Sequence, residues 1–264
     1  MNPPATTQTR SFALWRNGFR PFYLLASVFA ALSIALWALQ FAGVLARPYL
    51  SGPLWHAHEM LFGFALAVVV GFLFTAARTW TNQPTPAGAT LAAFAVLWVA
   101  GRVLVLTPWG WAAAVVNIAF LLAAAVALAI PFLASNNRRN YFFVGLLLLL
   151  AAAVAAVHLA QLHLVALPSW LGVQIGLDIV LFIMSVMGGR VIPMFTNNGV
   201  PGARATRHAL IEKMALGLVL VLLLADALQV SAAPLAVLLV CLAGAHFARW
   251  LLWQPWKTLR TPLV

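Results

Sequence analysis

The feature that most constrains this chain is a series of apolar runs, each about long enough to cross a lipid bilayer. Eight such runs occur, at residues 22–43, 58–77, 89–106, 111–133, 142–165, 170–191, 211–228 and 234–253. A hydrocarbon core of roughly 30 Å takes about 20 apolar residues in an α-helix. Lipid offers no hydrogen bond to a free backbone amide, and the runs lack the alternation of a membrane β-strand. The sequence therefore predicts an all-α fold, a polytopic transmembrane helical bundle of about eight helices in a single transmembrane domain, residues 1–264.

Composition excludes the usual classes of soluble protein. Only 7% of the residues are charged and 64% are hydrophobic, whereas soluble domains carry about 25% charged residues. The net charge of +11 does not indicate a nucleic-acid partner, because the lysines and arginines are spread between apolar runs instead of forming one patch. The single cysteine, Cys241, allows no disulfide within the chain. The predicted surroundings are a lipid bilayer, with no nucleic acid.

The distribution of positive charge predicts how the chain crosses the membrane. With the N-terminus inside, all 15 lysines and arginines except Arg47 and Arg102 fall on the inner side. Because positive residues are retained in the cytoplasm, both termini are predicted to lie there. The first apolar run is too long for the core of a signal peptide. The pattern is typical of a multi-pass protein of the bacterial inner (cytoplasmic) membrane.

Ionisable residues within the predicted spans are the first candidates for function, because they are costly in lipid. Most of them fall in the predicted outer half of the bilayer: His56, His58, Glu59, Arg102, His158, His163, Asp178 and Asp226. Arg102 has Asp178 or Asp226 as its candidate partner, either in a structural ion pair or in a substrate site. This clustering is the most informative feature of the polar residues.

The second run also predicts which face of its helix points into the bundle. Small side chains and one acid recur every four residues, at Glu59, Gly63, Ala67, Gly71 and Thr75. Small faces let helix backbones approach closely in lipid, so this face is expected to pack inward and to place Glu59 inside the bundle. On a regular helix His56 shares that side, whereas His58 points about 100° away from Glu59.

The histidines form two pairs, and neither pair chelates one ion from a regular helix. His158 and His163 are about 140° apart around a helix, and His56 and His58 have a similar limit when helical. An extended stretch would instead put the rings of His56 and His58 on one side. Pairs drawn from the second and fifth runs are the natural arrangement for bis-histidine haem ligation or for a copper site. We take these four histidines as candidate metal ligands. The alternative is that each bonds only to water in the headgroup region.

Three segments together resemble a known family. They are GFRPF at residues 18–22, WHAHEMLFGF at residues 55–64 and GGRVIPMFTN at residues 188–197. In this order they resemble the NnrS family of bacterial membrane proteins, whose members are usually longer than this chain. The resemblance implies an inner-membrane protein that contains haem and copper and acts in the nitric oxide response. Such proteins are associated with denitrification and with protection from nitrosative stress.

The resemblance also implies site residues, which match here at His56, His58, Glu59 and Arg190. Together with the depth argument, the candidate cofactor-binding set is His56, His58, Glu59, His158, His163 and Arg190. Arg190 is expected to anchor its helix or to pair with a haem propionate. Pro193 is expected to end that helix. Nitric oxide, a small neutral molecule that partitions into lipid, is the candidate ligand.

Two other classes of function stay open at this point. Arg102, Asp178 and Asp226 within spans are compatible with a small-solute transporter or channel. The small-residue face of the second run is compatible with an assembly or interaction subunit of a membrane complex. The sequence does not distinguish an enzymatic from a regulatory role.

Overall fold

A computed structural model describes residues 13–45 and 48–260, and this part of the chain contains helices and no strand. The helices are α1 (Phe19–Phe41), α2 (Gly52–His58), a π-helical segment (Glu59–Ala65), α3 (Leu66–Thr81), α4 (Gly88–Leu104), α5 (Gly110–Ala134), α6 (Phe142–Gln161), α7 (Ser169–Gly199), α8 (Ala209–Ala227) and α9 (Ala232–Leu252). Short 3₁₀ turns cover Ala13–Arg16, Arg138–Asn140 and Pro255–Arg260. Arg47, one of the two cations predicted outside, lies beyond the described residues.

Each of the eight apolar runs falls on a helix, because α2, the π segment and α3 continue as one helical stretch, Gly52–Thr81. Among the described residues, six helices are long and apolar enough to cross a membrane. The other two are α4, with 17 residues, and α8, which carries Glu212, Lys213 and Asp226. The prediction of an all-α membrane bundle is confirmed. The inward orientation of both termini stays a prediction.

The chain divides into two compact units, Met1–Val173 and Gln174–Val264, and each is described by itself. The first unit contains α1 to α6 and the start of α7. The second contains the rest of α7 with α8 and α9. That the chain forms one transmembrane domain stays a prediction.

The small-residue face of the second span packs inward, as predicted. Its first four members are buried: Glu59, Gly63, Ala67 and Gly71. A Cβ on Gly71 would lie 2.7 Å from Cβ of Phe22 in α1, so only glycine permits this approach of α3 to α1. The same face therefore points Glu59 into the interior of the first unit.

His58, and not His56, is the histidine that lies on the buried side together with Glu59, contrary to the prediction. His58 is fully buried and bonds to Glu59, whereas His56 is half-buried and stacks on Trp37. Adjacent side chains that are about 100° apart on a helix can still bond to each other, as Nδ1 of His58 and Oε1 of Glu59 do over 2.8 Å. A π-helical segment, whose turn is wider than that of an α-helix, begins at Glu59. Such π-bulges are frequent at functional sites.

Pro193 does not end its helix, contrary to the prediction. Helix α7 continues through it to Gly199. Proline is tolerated within transmembrane helices, because neighbouring groups satisfy the carbonyl that loses its partner.

Candidate metal site

Five helical segments of the first unit bring polar side chains into one buried cluster. Its members are His58 from α2, Glu59 from the π segment, Arg102 from α4, Asn117 from α5 and His158 from α6. Each is less than a tenth exposed. We call these five residues the histidine cluster. Because charged groups are rarely buried without partners, their contacts define what the cluster can do.

An ion pair lies at the centre of the cluster. Nη1 of Arg102 donates to Oε1 of Glu59 over 2.9 Å. Nη2 of Arg102 donates to Oδ1 of Asn117, whose amide nitrogen donates to the carbonyl of Ala113. Arg102 is thus paired with Glu59, and the expected pairing with an aspartate of a later span was wrong. Sequence spacing gave no means of choosing among the four acids.

Two glycines make the room that this pair needs. A Cβ on Gly63 would lie 2.6 Å from Nη1 of Arg102, and one on Gly101 would lie 3.0 Å from Oδ1 of Asn117. The carbonyl of Gly63 also accepts a hydrogen bond from the indole of Trp98. The motif glycine at residue 63 therefore has a physical role beyond helix packing, since it admits the guanidinium.

The hydrogen bond made by His58 determines which ring nitrogen is free. Nδ1 of His58 lies 2.8 Å from Oε1 of Glu59. A carboxylate paired with an arginine accepts, so Nδ1 carries the proton and Nε2 keeps its lone pair. That Nε2 is buried and has no hydrogen-bond partner among the described residues. This is the tautomer that a metal-binding histidine adopts when a carboxylate orients it.

A contact with Tyr49 gives His158 the same tautomer as His58, with the proton on Nδ1. The phenol of Tyr49 donates to the backbone carbonyl of His158 over 3.2 Å, and its oxygen lies 3.3 Å from Nδ1 of that residue. Because the single phenolic proton is used, the oxygen accepts from Nδ1–H, and Nε2 of His158 is left with its lone pair. Burial raises the pKa of Tyr49, in the loop before α2, to about 12. The phenol therefore stays protonated at any physiological pH.

The two imidazoles with free Nε2 atoms are neighbours. The rings of His58 and His158 have centroids 5.2 Å apart and meet edge to face. Both Nε2 atoms are buried without a partner among the described residues, and an orphaned buried polar atom requires an explanation. Two neighbouring neutral imidazoles are a donor set suited to copper.

The described residues contain no group of three or more histidine, cysteine or acidic side chains arranged to hold a metal ion. Among the histidine, cysteine and acidic side chains of the described residues, only the imidazoles of His58 and His158 would therefore hold a metal at the histidine cluster. The four-histidine set considered from the sequence is not assembled. His58 and His158 come together, and the other two histidines lie apart.

The remaining candidate residues lie in different surroundings. The ring of His56 stacks on Trp37 with centroids 3.9 Å apart. His163 follows the end of α6, is exposed and has the left-handed φ of 60° that ends a helix. Arg190 is half-buried on α7, in the second unit. The ligand roles of these three residues stay predictions.

Apolar residues cover the cluster. Trp55 and Leu50 form a fully buried group with Val105 and Ala113, and the ring of Phe62 lies 5.2 Å from that of His58. Because the five cluster residues are buried, electrostatic interactions among them are stronger than in water.

Sequence reasoning missed Tyr49 and Asn117. An amide at residue 117, within an apolar run, was a detectable signal because such residues bond to other helices in lipid. Tyr49 lies in a loop and carries no comparable signal, since its contact with His158 spans 109 residues.

A second buried ion pair lies in the second unit. Nε and Nη2 of Arg249 contact the two carboxylate oxygens of Glu212 at 3.1 and 3.2 Å, and Nη1 donates to the hydroxyl of Ser185 over 2.8 Å. The guanidinium also lies 5.0 Å from the centroid of the Trp253 ring. A Cβ on Gly189 would lie 2.6 Å from Oε2 of Glu212 and closer still to Arg249. This motif glycine thus makes room for an ion pair that joins α7, α8 and α9.

The helices and the cluster define a multi-pass membrane protein with a buried pair of imidazoles inside its first unit. The model of the family described as NnrS protein matches residues 13–264. The chain therefore belongs to the NnrS family, as the three sequence segments predicted, and it is a membrane protein related to the nitric oxide response. No curated protein and no solved structure is similar enough to the chain to count as a match.

Proposed function

We propose that His58 and His158 hold a copper ion, and that the protein acts through it in the nitric oxide response at the bacterial inner membrane. The observation that carries the proposal is the pair of buried Nε2 atoms without partners, on rings whose centroids are 5.2 Å apart. Burying two such acceptors is costly unless something binds them. A metal ion is the ligand that two neutral imidazoles suit best.

The residues around the pair support this role. Glu59 and Tyr49 accept from the Nδ1 atoms of His58 and His158 respectively, as second-shell groups do at metal sites. Nη1 of Arg102 donates to the same Oε1 of Glu59 over 2.9 Å and so helps to hold that side chain in place. Both ligands are thus oriented before any metal arrives.

The choice of copper follows from donor chemistry and room. Imidazole binds Cu²⁺ more tightly than it binds the other common divalent ions of the first transition row. Haem is the other cofactor that the family implies, but the two rings are in direct contact and leave no gap for a macrocycle between them. We therefore propose no haem ligation by this pair.

The apolar surroundings suit a small neutral ligand. Nitric oxide dissolves in lipid and needs no charged pathway to reach a buried centre. A copper ion held by His58 and His158 would supply a centre to which such a molecule could bind. The chain contributes two oriented imidazoles, a carboxylate bonded to one of them and buried surroundings, in which the ring of Phe62 lies against His58.

Metal analysis of the purified protein tests the proposal. Protein from copper-replete cells should hold about one copper per chain, and His58→Ala or His158→Ala should lose it. The matched controls are His163→Ala and His208→Ala, which remove exposed imidazoles and should keep the metal. Exposure to nitric oxide should produce an infrared N–O band only in the proteins that hold copper.

Two results would count against the proposal. One is wild-type protein free of copper after growth with sufficient copper. The other is equal copper loss in all four variants. A Soret band that survives in both His58→Ala and His158→Ala would assign haem to other residues.

A transporter or channel is a second candidate, and one observation favours it. Asp178 is fully buried within α7, and Gln174, one turn earlier, donates to Asp226 of α8 over 3.0 Å. Acids inside spans often mark ion or proton pathways. This candidate requires solute or proton flux in vesicles that falls in Asp178→Asn and does not depend on copper. Flux that is unchanged in that variant would exclude it.

A further inference from the structure

A basic cavity lies in the first unit, at the opposite end of the second span from the histidine cluster. It has a volume of about 960 Å³, and its walls include Arg16, Arg20 and Arg78. Arg78 follows Glu59 by 19 residues, which is about 28 Å along a helix. We call this space the arginine cavity.

The arginine cavity carries positive charge without a compensating acid. The chain has only four acidic residues, and none of them lines the cavity. The salt bridges among the described residues do not involve Arg16, Arg20 or Arg78. Arg20 donates to the carbonyl of Ala13, whereas the side chains of Arg16 and Arg78 are exposed. Three like charges around one space favour an anion between them.

A helix N-terminus adds to this preference. Helix α4 begins at Gly88, on the wall of the cavity, and its N-cap residue, Ala87, has no side-chain oxygen to cap the first amides. Free amides at a helix start attract anions. The arginines and the amides are independent features, and both are complementary to a phosphate group.

An apolar groove adjoins the cavity. It has a volume of about 500 Å³ and follows α1 and α4, with Leu24, Val96 and Val103 among its walls. Trp15 lines both the groove and the arginine cavity. Val96 is 68% exposed and Val103 is 56% exposed, so this surface faces lipid in a membrane protein. A basic site for a head group thus continues into an apolar channel of the kind that an acyl chain fills.

We propose that the arginine cavity and the apolar groove together bind one anionic phospholipid. The phosphate lies between Arg16, Arg20 and Arg78 at the start of α4, and an acyl chain lies in the groove. A free phosphate ion would leave the groove unused. A second copy of the chain, with a net charge of +11, would not neutralise the arginines.

Lipid binding by the purified full-length protein tests this proposal. Native mass spectrometry with phosphatidylglycerol should show one tightly retained lipid per chain, and phosphatidylcholine with the same acyl chains should not be retained. Replacing Arg16 and Arg78 together by glutamine should weaken phosphatidylglycerol binding by about tenfold or more, because charge-assisted hydrogen bonds are lost. The control replaces Arg138 and Arg139 by glutamine. It removes the same charge from exposed residues outside the cavity and should leave binding unchanged.

A second pair of variants tests the groove independently of the arginines. Val96→Trp fills the groove and should weaken phosphatidylglycerol binding about tenfold. Val126→Trp, at a residue of α5 that is 62% exposed, should have no effect. Both changes are on the outer surface, so the protein should still fold if an arginine variant does not.

Three results would overturn the proposal. The first is equal weakening by the two arginine double variants, which would indicate general attraction to a basic surface. The second is displacement of the lipid by millimolar inorganic phosphate, which would indicate a site for free anions. The third is retention of phosphatidylcholine as strong as that of phosphatidylglycerol.

Discussion

The two units of this chain each contain a buried pair of arginine and glutamate beside a motif glycine, yet the pairs differ in what surrounds them. In the second unit every nitrogen of the Arg249 guanidinium has a partner, and so do both carboxylate oxygens of Glu212. In the first unit Oε2 of Glu59 and Nε of Arg102 are without partners among the described residues, as are the nearby Nε2 atoms of both histidines.

This difference teaches how to distinguish a structural ion pair from a binding site. Buried charges are stable when their hydrogen bonds are complete, and such a pair joins helices. An incomplete network is costly and persists where something else binds to it. By this criterion the Arg249–Glu212 pair joins three helices, whereas the Glu59–Arg102 pair orients His58 toward a ligand.

The largest expected effect comes from removing one member of the complete pair. Glu212→Leu should lower the free energy of unfolding by about 3–5 kcal/mol, because it leaves a buried guanidinium uncompensated. The double replacement of Glu212 and Arg249 by leucine should recover most of that loss, and copper content should be unchanged in both. Unfolding in mixed micelles checks the stability, and metal analysis checks the copper. A double variant as unstable as the single one would contradict the comparison.

Overpacking the two motif glycines should have the next largest effect. Gly63→Ala and Gly189→Ala place a methyl group against Arg102 and the Arg249–Glu212 pair respectively. Each should destabilise by about 1–3 kcal/mol, and only Gly63→Ala should also reduce copper content. The controls are Gly145→Ala and Gly217→Ala, where a Cβ meets nothing within 4 Å.

The two control substitutions should increase the stability of the protein. Alanine in an open helical position should stabilise by about 0.5–1 kcal/mol relative to glycine. Destabilisation of all four variants to the same extent, measured by unfolding in mixed micelles, would remove the special role of the motif glycines.

Tyr49→Phe should weaken copper binding in the first unit and leave the second unit unchanged. The variant removes the acceptor for Nδ1–H of His158, so copper affinity should fall about 10–100-fold, the usual effect of losing a second-shell group. Tyr23→Phe, in α1, is the control and should leave affinity unchanged. Competition with a copper chelator measures the affinity. Unchanged affinity in Tyr49→Phe would mean that His158 needs no orienting group.

The smallest effect is a dependence of stability on alkaline pH. Burial raises the pKa of Tyr49 from 10.0 to about 12, so the folded protein keeps the phenolic proton at pH values where the unfolded chain releases it. The stabilisation is therefore present below about pH 10 and is lost as the pH rises toward 12. Chemical unfolding between pH 9 and 12 should show this decline in the wild type and a weaker one in Tyr49→Phe. Equal slopes in the two proteins would contradict the assignment.

Much of the fold was predictable because lipid leaves few choices. Long apolar runs must form helices, and a face of small residues must pack against a neighbour, as Gly71 does against Phe22. Element boundaries were less predictable. The second span begins six residues before the predicted start at residue 58, and α7 passes Pro193.

The candidate site was predictable in residue type and depth but not in pairing. His58, Glu59 and His158 were identified from their positions in the spans, and they do come together. The partner of Arg102 and the stacking of His56 on Trp37 were not foreseen. Angles around a regular helix did not show which side chains bond, because the adjacent residues His58 and Glu59 are in hydrogen-bond contact although about 100° separates them.

The sequence by itself determined that this protein is a bundle of membrane helices and that it belongs to the NnrS family, because hydrophobic length and local motifs are properties of short segments. Only the tertiary structure decided which histidines meet, which acid pairs with Arg102 and how Tyr49 reaches His158 across 109 residues. Those contacts join segments that are far apart in the sequence, and the physical reason is that helix rotation and packing, not spacing along the chain, determine which side chains meet.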